Sequence, residues 1–362
     1  MALIFWEGFD TYSNLTDLVS ARPLITPGWY TRFGWWPDYS TTGGRFNGGR
    51  VTQSTATWGP GLINFGFTTV ANEIYTGRAV KILGSSSSSI LHAYGNVNTG
   101  NGDGVGDVYV TVNSGTVLLY NHQGTLLGQS VASIFSPNVW HWIELRVKMS
   151  STTSSTDGIA ELWLNNRKII SNTACITKTN SGSTGYSGVN LGCYDNFDSV
   201  DDIYILDTTG TSPWNTRLGD CRIASVAVTS DAGPNQGVPS TGIGNPHYTV
   251  VDEIPSNTSD YIELTSSANG YGEMFGHAPL PSNNAAYILA TSVVVIGNKN
   301  DAGNGSFKIS IQPPGGNTFN SNVLSLATGS AWYREDWSVN PNTGIQWSKS
   351  DWANANIGFY IA

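Results

Sequence analysis

The chain has 362 residues, a formal net charge of −9 and 12% charged residues, about half the fraction typical of a soluble domain. Its 17 basic residues are scattered, whereas nucleic-acid binding needs clustered Lys and Arg, so we expect no nucleic-acid partner. It also has 42 Gly and 13 Trp, so its surface must consist largely of Ser, Thr, Asn and Gly. No apolar run approaches the roughly 20 residues of a membrane span, and we expect no membrane partner.

The cysteines and the N-terminal residues carry little functional information. Cys175, Cys193 and Cys221 form an odd set without C-x-x-C spacing, so we predict ordinary thiols rather than a zinc site or a redox pair. Residues 1–7 are apolar but include no basic region and no small-residue cleavage site. We therefore expect synthesis in the cytoplasm without a standard export signal.

The first notable element in chain order is the aromatic segment 28–39. Five of its residues form a candidate binding surface for a glycan or for another subunit: Trp29, Tyr30, Trp35, Trp36 and Tyr39. Aromatic rings anchor protein interfaces and stack on sugar rings. The same segment also suits a sandwich core, which needs large side chains such as Trp29, Phe33 and Trp35 between its sheets. The sequence leaves these interpretations open.

Strand patterns predominate in the first 230 residues, where no helical period is sustained. Residues 140–149 alternate between an apolar face and a polar face that includes Glu144, which predicts a half-buried antiparallel strand. The pair Asn165-Asn166 tolerates positive φ and predicts a two-residue hairpin turn. A second hairpin is predicted where residues 113–115 join the strands at 108–112 and 116–120.

The later part of the chain continues in strands. The predicted strands are residues 203–206, 222–228, 248–251, 261–264, 287–296, 307–311 and 357–361. Residues 230–246 are rich in Gly, Pro, Ser and Asn and predict a linker between two domains. Residues 297–305 are predicted to join two strands as a hairpin, and Ser348 to cap one short helix ending near residue 352.

Catalytic patterns are weak. A glycoside hydrolase needs two carboxylates that face one cleft, whereas the odd spacing of Glu7 and Asp10 places them on opposite faces of a strand. The adjacent Asp201 and Asp202 are expected to face opposite ways for the same reason. The glycine-rich residues 100–106 precede a strand and predict a loop, and His141 is predicted to be a hydrogen-bonded core residue. We expect no catalytic residues and no enzymatic activity.

Several motifs carry a resemblance to a known family. These motifs are residues 44–49 (GRFNGG), 140–144 (WHWIE) with 163–166 (WLNN), 201–207 (DDIYILD), 218–223 (LGDCRI), 251–255 (VDEIP), 299–303 (KNDAG) and 340–344 (NPNTG). In this order they resemble tailed-phage virion structural proteins with a concanavalin A-like lectin/glucanase (LamG-like) domain. The resemblance implies an all-β fold: a concanavalin A-like β-sandwich at residues 1–229, a linker at 230–246 and a smaller β-sandwich or jelly roll at 247–362.

The resemblance also sets functional expectations. It implies a non-catalytic structural protein on the virion surface, made in the host cytoplasm, that contacts other capsid or tail proteins and forms a homo-oligomer. The alternative is an adsorption protein that binds a host surface glycan. Some LamG-like domains hold calcium, and Asp201, Asp202 and Asp207 supply the oxygen ligands that calcium prefers. The same aspartates equally suit hydrogen bonds to turn backbone. We expect no other cofactor.

Overall fold

The computed structural model describes residues 3–20, 29–30, 37–53, 64–82, 88–95, 107–190, 199–265, 268–281, 288–300 and 302–362. The chain divides into two compact units. The first comprises Met1–Phe9 and Thr26–Ile223, and the second comprises Asp10–Ile25 and Ala224–Ala362. The predicted linker at 230–246 contains most of one strand and all of another, and both belong to the second unit.

The first unit is built from two antiparallel sheets. Its strands are β1 (Leu3–Glu7), β2 (Trp29–Tyr30), β3 (Pro37–Ser40), β4 (Arg50–Gln53), β5 (Asn64–Ala71), β6 (Glu73–Lys81), β7 (Ser88–Gly95), β8 (Val108–Asn113), β9 (Thr116–Asn121), β10 (Leu126–Gln129), β11 (His141–Lys148), β12 (Gly158–Leu164), β13 (Arg167–Cys175), β14 (Tyr186–Asn190) and β15 (Ser199–Asp207). An eight-stranded sheet has the order β13-β12-β11-β6-β15-β4-β3, with β1 also paired to β15. A seven-stranded sheet has the order β10-β9-β8-β7-β14-β5-β2.

The core of the first unit follows from strand alternation. In β11, Ile143, Leu145 and Val147 are fully buried, and in β8 the same is true of Val108 and Val110. Side chains two residues apart share a face, so each sheet presents a continuous apolar face. At about 25 cal/mol per Å² of apolar surface, this burial is the main term that stabilises the unit. The expected all-β sandwich is confirmed.

Strands are also the main regular elements of the second unit. Its elements are α1 (Leu15–Ser20), β16 (Val228–Asn235), β17 (Val238–Pro239), a short 3-10 helix (His247–Val250), β18 (Ile262–Glu263), β19 (Gly272–His277), β20 (Thr291–Gly297), β21 (Ser306–Gln312), β22 (Phe319–Asn320), β23 (Leu324–Ser325), β24 (Ala331–Trp337), α2 (Lys349–Ala353) and β25 (Asn356–Ile361). Its main sheet has the order β16-β19-β25-β21-β22, with β23 also on β21, and β17-β18 and β20-β24 form two-stranded sheets.

Some expectations for the second unit were wrong. The predicted strand at 248–251 is mostly a 3-10 helix, and the strand predicted at 222–228 begins only at Val228. The predicted hairpin across residues 297–305 does not form, because β20 pairs with β24 while β21 pairs with β25. The short helix is confirmed: Ser348 accepts a hydrogen bond from Asp351 N, and Asp351 completes a capping box.

Candidate functional site

Two tyrosines lie side by side on the outer face of the seven-stranded sheet. The rings of Tyr109 in β8 and Tyr120 in β9 have centroids 5.3 Å apart and an interplanar angle of 17°, so they are stacked. Both side chains are half-buried, and burial together with the neighbouring Tyr120 raises the pKa of Tyr109. The pair offers an apolar surface with polar edges.

The β8–β9 hairpin fixes this pair. In β8 the buried Val108, Val110 and Val112 alternate with Tyr109 and Thr111. In β9 the core face holds Val117, Leu119 and Asn121, and the outer face holds Thr116, Leu118 and Tyr120. Ser114 and Gly115 form the two-residue turn with φ of 48° and 77°, and Tyr109 lies directly opposite Tyr120 in the register. The predicted hairpin is therefore confirmed, and its turn sets which side chains meet across the strands.

The described strands of the sheet that holds the tyrosine pair differ in charge from those of the other sheet. None of the seven strands contains Asp, Glu, Lys or Arg within the ranges that the structure describes. Every strand of the eight-stranded sheet, by contrast, contains at least one. The two sheets of one sandwich thus have opposite chemical character.

Sequence reasoning missed this site, although a signal was available. No Asp, Glu, Lys or Arg occurs between Arg50 and Glu73, and only Asp103 and Asp107 occur between Lys81 and Glu144. These two stretches supply five of the seven strands, namely β5, β7, β8, β9 and β10. Charge mapped along the chain could have indicated a neutral sheet, but not which strands pair within it.

The predicted aromatic surface is divided between sheets where it can be described. Trp35 and Trp36 lie outside the described residues, and of Trp29 and Tyr30 only the backbone of β2 is described. Trp29 occupies a register position opposite Phe65, in line with the buried Val189 of β14. Because Val189 is buried, the register positions in line with it belong to the core face, and that of Trp29 is one of them. The adjacent Tyr30 therefore occupies an outer-face position.

Tyr39 lies elsewhere in the first unit. It is part of β3, at the edge of the eight-stranded sheet, and its hydroxyl donates a 2.6 Å hydrogen bond to Phe9 O. Tyr30 and Tyr39 therefore belong to different sheets, because residues 31–36 separate two strands that join different ladders. Binding by the five aromatic residues stays a prediction.

The aspartates predicted as calcium ligands bind backbone and arginine. Asp201 Oδ2 accepts a 2.7 Å bond from Arg45 N, and Asp202 Oδ1 accepts one of 2.7 Å from Ile223 N. Asp207 Oδ1 accepts bonds from Thr209 N and Oγ1 at 2.9 and 2.7 Å. No group of three or more His, Cys, Asp or Glu that could hold a metal occurs among the described residues. Calcium binding stays a prediction.

The regular strand alternation on which Asp201 and Asp202 are expected to face opposite ways is interrupted at this point. The β15–β6 ladder shifts register between Asp201 and Tyr204, and Asp202 has a φ of 49°. Such a β-bulge breaks the alternation of a strand. Asp201 accepts its hydrogen bond from the backbone N of Arg45, whereas Asp202 lies near the side chain, with Arg45 Nη1 3.6 Å from Asp202 Oδ2.

A buried polar network covers part of the eight-stranded sheet. Glu144 is fully buried and accepts hydrogen bonds from Tyr204 Oη at 2.5 Å, Gly219 N at 2.8 Å and Arg217 Nη1 at 2.5 Å. Burial raises the pKa of Glu144, while the bonds from Tyr204 and Arg217 oppose that rise. The expectation of a half-buried strand at 140–149 was therefore wrong at Glu144, because residues 217–219 lie over its polar face.

Among the described residues of the second unit, Glu273 is a comparable buried carboxylate. Glu273 in β19 is fully buried, accepts a 2.5 Å bond from Gly237 N and lies 3.0 Å from His247 Nδ1. These contacts tie the turn before β17 and the 3-10 helix to β19. We interpret Glu273 as structural. In the described part of the chain, no helix is long and apolar enough to cross a membrane.

Comparison with known proteins yields distant structural similarity. No protein-family model matches the chain, and no curated protein sequence matches it. The structure is similar to the alginate lyase Aly36B at 12% identity and a TM-score of 0.38, covering 56% of this chain and 96% of that one. It is similar to a GH131 beta-glucanase catalytic domain from Podospora anserina at 10% identity and a TM-score of 0.38, covering 60% and 100%.

A third similar structure comes from a bacteriophage. It is a conserved carbohydrate esterase from the Shiga toxin-encoding bacteriophage phi24B, at 13% identity and a TM-score of 0.33, covering 55% of this chain and 98% of that one. Similarity at this level carries no argument about function, so the site must be interpreted from its own residues.

Proposed function

We propose that this chain is a non-catalytic glycan-binding protein, with its binding surface on the outer face of the seven-stranded sheet. The observation that carries the proposal is the stacked pair Tyr109–Tyr120 on a sheet whose described strands contain no Asp, Glu, Lys or Arg. Aromatic rings pack against the C–H faces of sugars, and their polar edges hydrogen-bond sugar hydroxyls. Binding pockets combine aromatic surface with a few placed polar groups in the same way.

The proposal that the protein is non-catalytic has its own support. Hydrolysis of a glycosidic bond ordinarily requires a pair of carboxylates flanking that bond. No carboxylate occurs on the described strands of this sheet, and Glu144 on the other sheet is enclosed by Tyr204 and Arg217. The protein should therefore bind glycans without releasing new reducing ends.

We also propose, from the sequence resemblance, that the protein is displayed on a phage particle. Glycan binding at that location would serve adsorption to the host surface, the alternative function expected from the sequence. The first function expected from the sequence was reinforcement of the capsid or tail. The test is whether the protein co-sediments with particles in a density gradient. Its absence from purified particles would contradict this placement and leave glycan binding unaffected.

The test of glycan binding is an array of immobilised oligosaccharides probed with the whole protein. We expect binding that Tyr109→Ala and Tyr120→Ala each weaken about tenfold, the loss of roughly 1.4 kcal/mol. Tyr261→Ala is the matched control, because Tyr261 is 55% exposed and lies in the second unit. The absence of binding at millimolar sugar would overturn the proposal.

A further inference from the structure

We propose that the ligand of this face is a neutral, linear glycan that runs across the strands of the seven-stranded sheet, an inference that rests on the proposed function. Two observations define the ligand: a row of register-matched residues across the sheet, and the lack of Asp, Glu, Lys and Arg on the described strands.

The row crosses six neighbouring strands. From β9 to β2 it consists of Tyr120, Tyr109, His92, Asn190, Asn64 and Tyr30. Each residue is the register partner of the next, and partners in antiparallel strands share a face. The row contains aromatic residues at both ends and an imidazole and two amides between them. These are the groups that stack on sugar rings and hydrogen-bond hydroxyls.

The buried neighbours of the row in β7, β8 and β14 assign it to outer-face register positions of the sheet. Leu91 and Ala93 on either side of His92 are fully buried, as is Val189 beside Asn190. In β8, Tyr109 lies between the buried Val108 and Val110. The core-facing residues are thus the neighbours of the row on each strand.

The length of the row sets the size of the ligand. Adjacent strands lie about 4.8 Å apart, so five steps from β9 to β2 extend roughly 24 Å. A single sugar ring could contact only one end of such a row, whereas a linear chain of several sugars could contact both. Affinity should therefore rise with chain length until the ligand spans the row.

The lack of charge selects neutral sugars. Carboxylate or sulfate groups are usually recognised by Arg or Lys through charge-assisted hydrogen bonds. No Arg or Lys occurs on the seven strands as the structure describes them. An acidic glycan placed on this face would lose hydration without gaining a cation, which costs binding free energy. Neutral glycans should therefore bind in preference to polyuronates.

The experiment uses isothermal titration calorimetry with the best neutral oligosaccharide from the array, as a series from two to seven sugars. Each sugar is paired with its uronic-acid counterpart, in which a carboxyl group replaces the primary alcohol. The variants are Tyr109→Ala at one end of the row and Tyr30→Ala at the other, with Tyr261→Ala as control. Circular dichroism establishes that each variant is folded.

The expected result is a pattern across length. Tyr109→Ala should weaken binding of every oligosaccharide about tenfold. Tyr30→Ala should have little effect on the disaccharide and weaken the hexasaccharide about tenfold, because only the longer ligand reaches β2. The uronic-acid counterparts should bind at least tenfold more weakly than the neutral sugars at 0.15 M salt.

Each other outcome has a distinct meaning. Equal or tighter binding of the acidic counterparts would overturn the preference for neutral sugars. An effect of Tyr30→Ala that does not depend on ligand length would overturn the orientation across the strands. Both results would leave glycan binding itself intact. If no sugar binds and Tyr109→Ala lowers the solution mass measured by light scattering, the face is a contact between copies of this chain, and both proposals fail.

Discussion

Glu144 lies in the central part of the eight-stranded sheet, where a carboxylate would ordinarily be unfavourable. Its two oxygens accept bonds from Tyr204, Arg217 and Gly219, which replace the water that burial removes. Two of these partners come from residues 217–219, so the carboxylate anchors that segment to β11. The buried Glu144 carboxylate therefore holds residues 217–219, near the C-terminal end of the first unit, against β11.

Substitution Glu144→Gln tests this anchor. The amide preserves the shape of the side chain but loses the charge and turns a donor toward Arg217, so we expect a loss of about 2–3 kcal/mol in the free energy of unfolding. Urea denaturation followed by tryptophan fluorescence measures it. The control is Glu263→Gln at an exposed position, which should change stability by less than about 0.5 kcal/mol. Equal effects of the two variants would contradict the anchoring role.

His141 should make the first unit sensitive to mild acid. Its Nε2 lies 3.0 Å from Ser136 O and its Nδ1 lies 3.1 Å from Asn165 Nδ2, an arrangement that suits the neutral ring with its proton on Nε2. Burial lowers the pKa of His141 below its ordinary value of about 6.5. The unfolded chain therefore binds more protons than the folded chain between these two pKa values, and stability rises with pH across that interval.

The predicted consequence is measured by urea unfolding between pH 7.5 and pH 5. Stability should be complete above about pH 6.5 and decrease as the pH falls toward the lowered pKa of His141. His141→Gln should reduce this dependence on pH, whatever its effect at pH 7.5. Burial also lowers the pKa of His277, so part of the dependence should remain in the variant. An unchanged slope in His141→Gln would show that His141 does not titrate in this range.

Among the strands, β6 shows how a missing side chain shapes a sheet. Gly77 is opposite Glu144 on one side and Tyr204 on the other. The rings of Trp142 and Tyr204, whose centroids are 6.0 Å apart, occupy the space above it. A Cβ at Gly77 would lie 2.2 Å from Tyr204 Cε1 and 2.8 Å from Trp142 Cζ2. The strand therefore needs glycine because of ring packing.

We predict that Gly77→Ala destabilises the protein by about 2–3 kcal/mol, since overpacking forces the two rings to move. The midpoint of urea denaturation measures the loss, and near-ultraviolet circular dichroism should report the displaced aromatic rings. Gly329→Ala is the matched control, because no atom lies within 4 Å of a Cβ built at Gly329. A neutral Gly77→Ala would mean that the rings yield without cost.

At the scale of single strands and turns, the sequence predicted one hairpin turn correctly and another incorrectly. Asn165 and Asn166 were expected to form a two-residue hairpin turn, and both have positive φ, at 47° and 68°. The turn chemistry is contained in two adjacent residues, so no distant contact is needed to specify it. The hairpin expected across residues 297–305 failed because β24, more than 30 residues later, takes the place beside β20.

At the scale of the whole molecule, negative charge is not spread evenly between the sheets of the first unit. The described strands of the seven-stranded sheet have no Asp or Glu, whereas Glu73, Glu144 and Glu161 lie on neighbouring strands of the other sheet. Arg146 bonds both Glu73 and Glu161, at 2.6 and 2.9 Å. These charged side chains form ion pairs on the eight-stranded sheet, whereas the described strands of the seven-stranded sheet present uncharged side chains.

Chelation of divalent metal should leave the whole protein unchanged. Asp201, Asp202 and Asp207 direct carboxylate oxygens at backbone amides, and Asp202 also lies near Arg45, so we expect the same unfolding midpoint with and without EDTA. Light scattering under the same two conditions tests the predicted homo-oligomer and its dependence on metal. A lower midpoint or a smaller mass after chelation would assign the aspartates as metal ligands.

The sequence by itself determined the all-β class, the two predicted hairpins of the first unit and the capped helix at residues 349–353. These features depend on period-two alternation and on turn or cap residues close together in the chain. Only the tertiary structure decided the row from Tyr120 to Tyr30, because its six residues come from six strands of which only β8 and β9 form a predicted hairpin. It likewise decided the burial of Glu144, since residues 217–219 cover that side chain from more than 70 positions away. Such contacts depend on which distant strands pair with each other. The residue pattern of a single strand does not specify its partner strands.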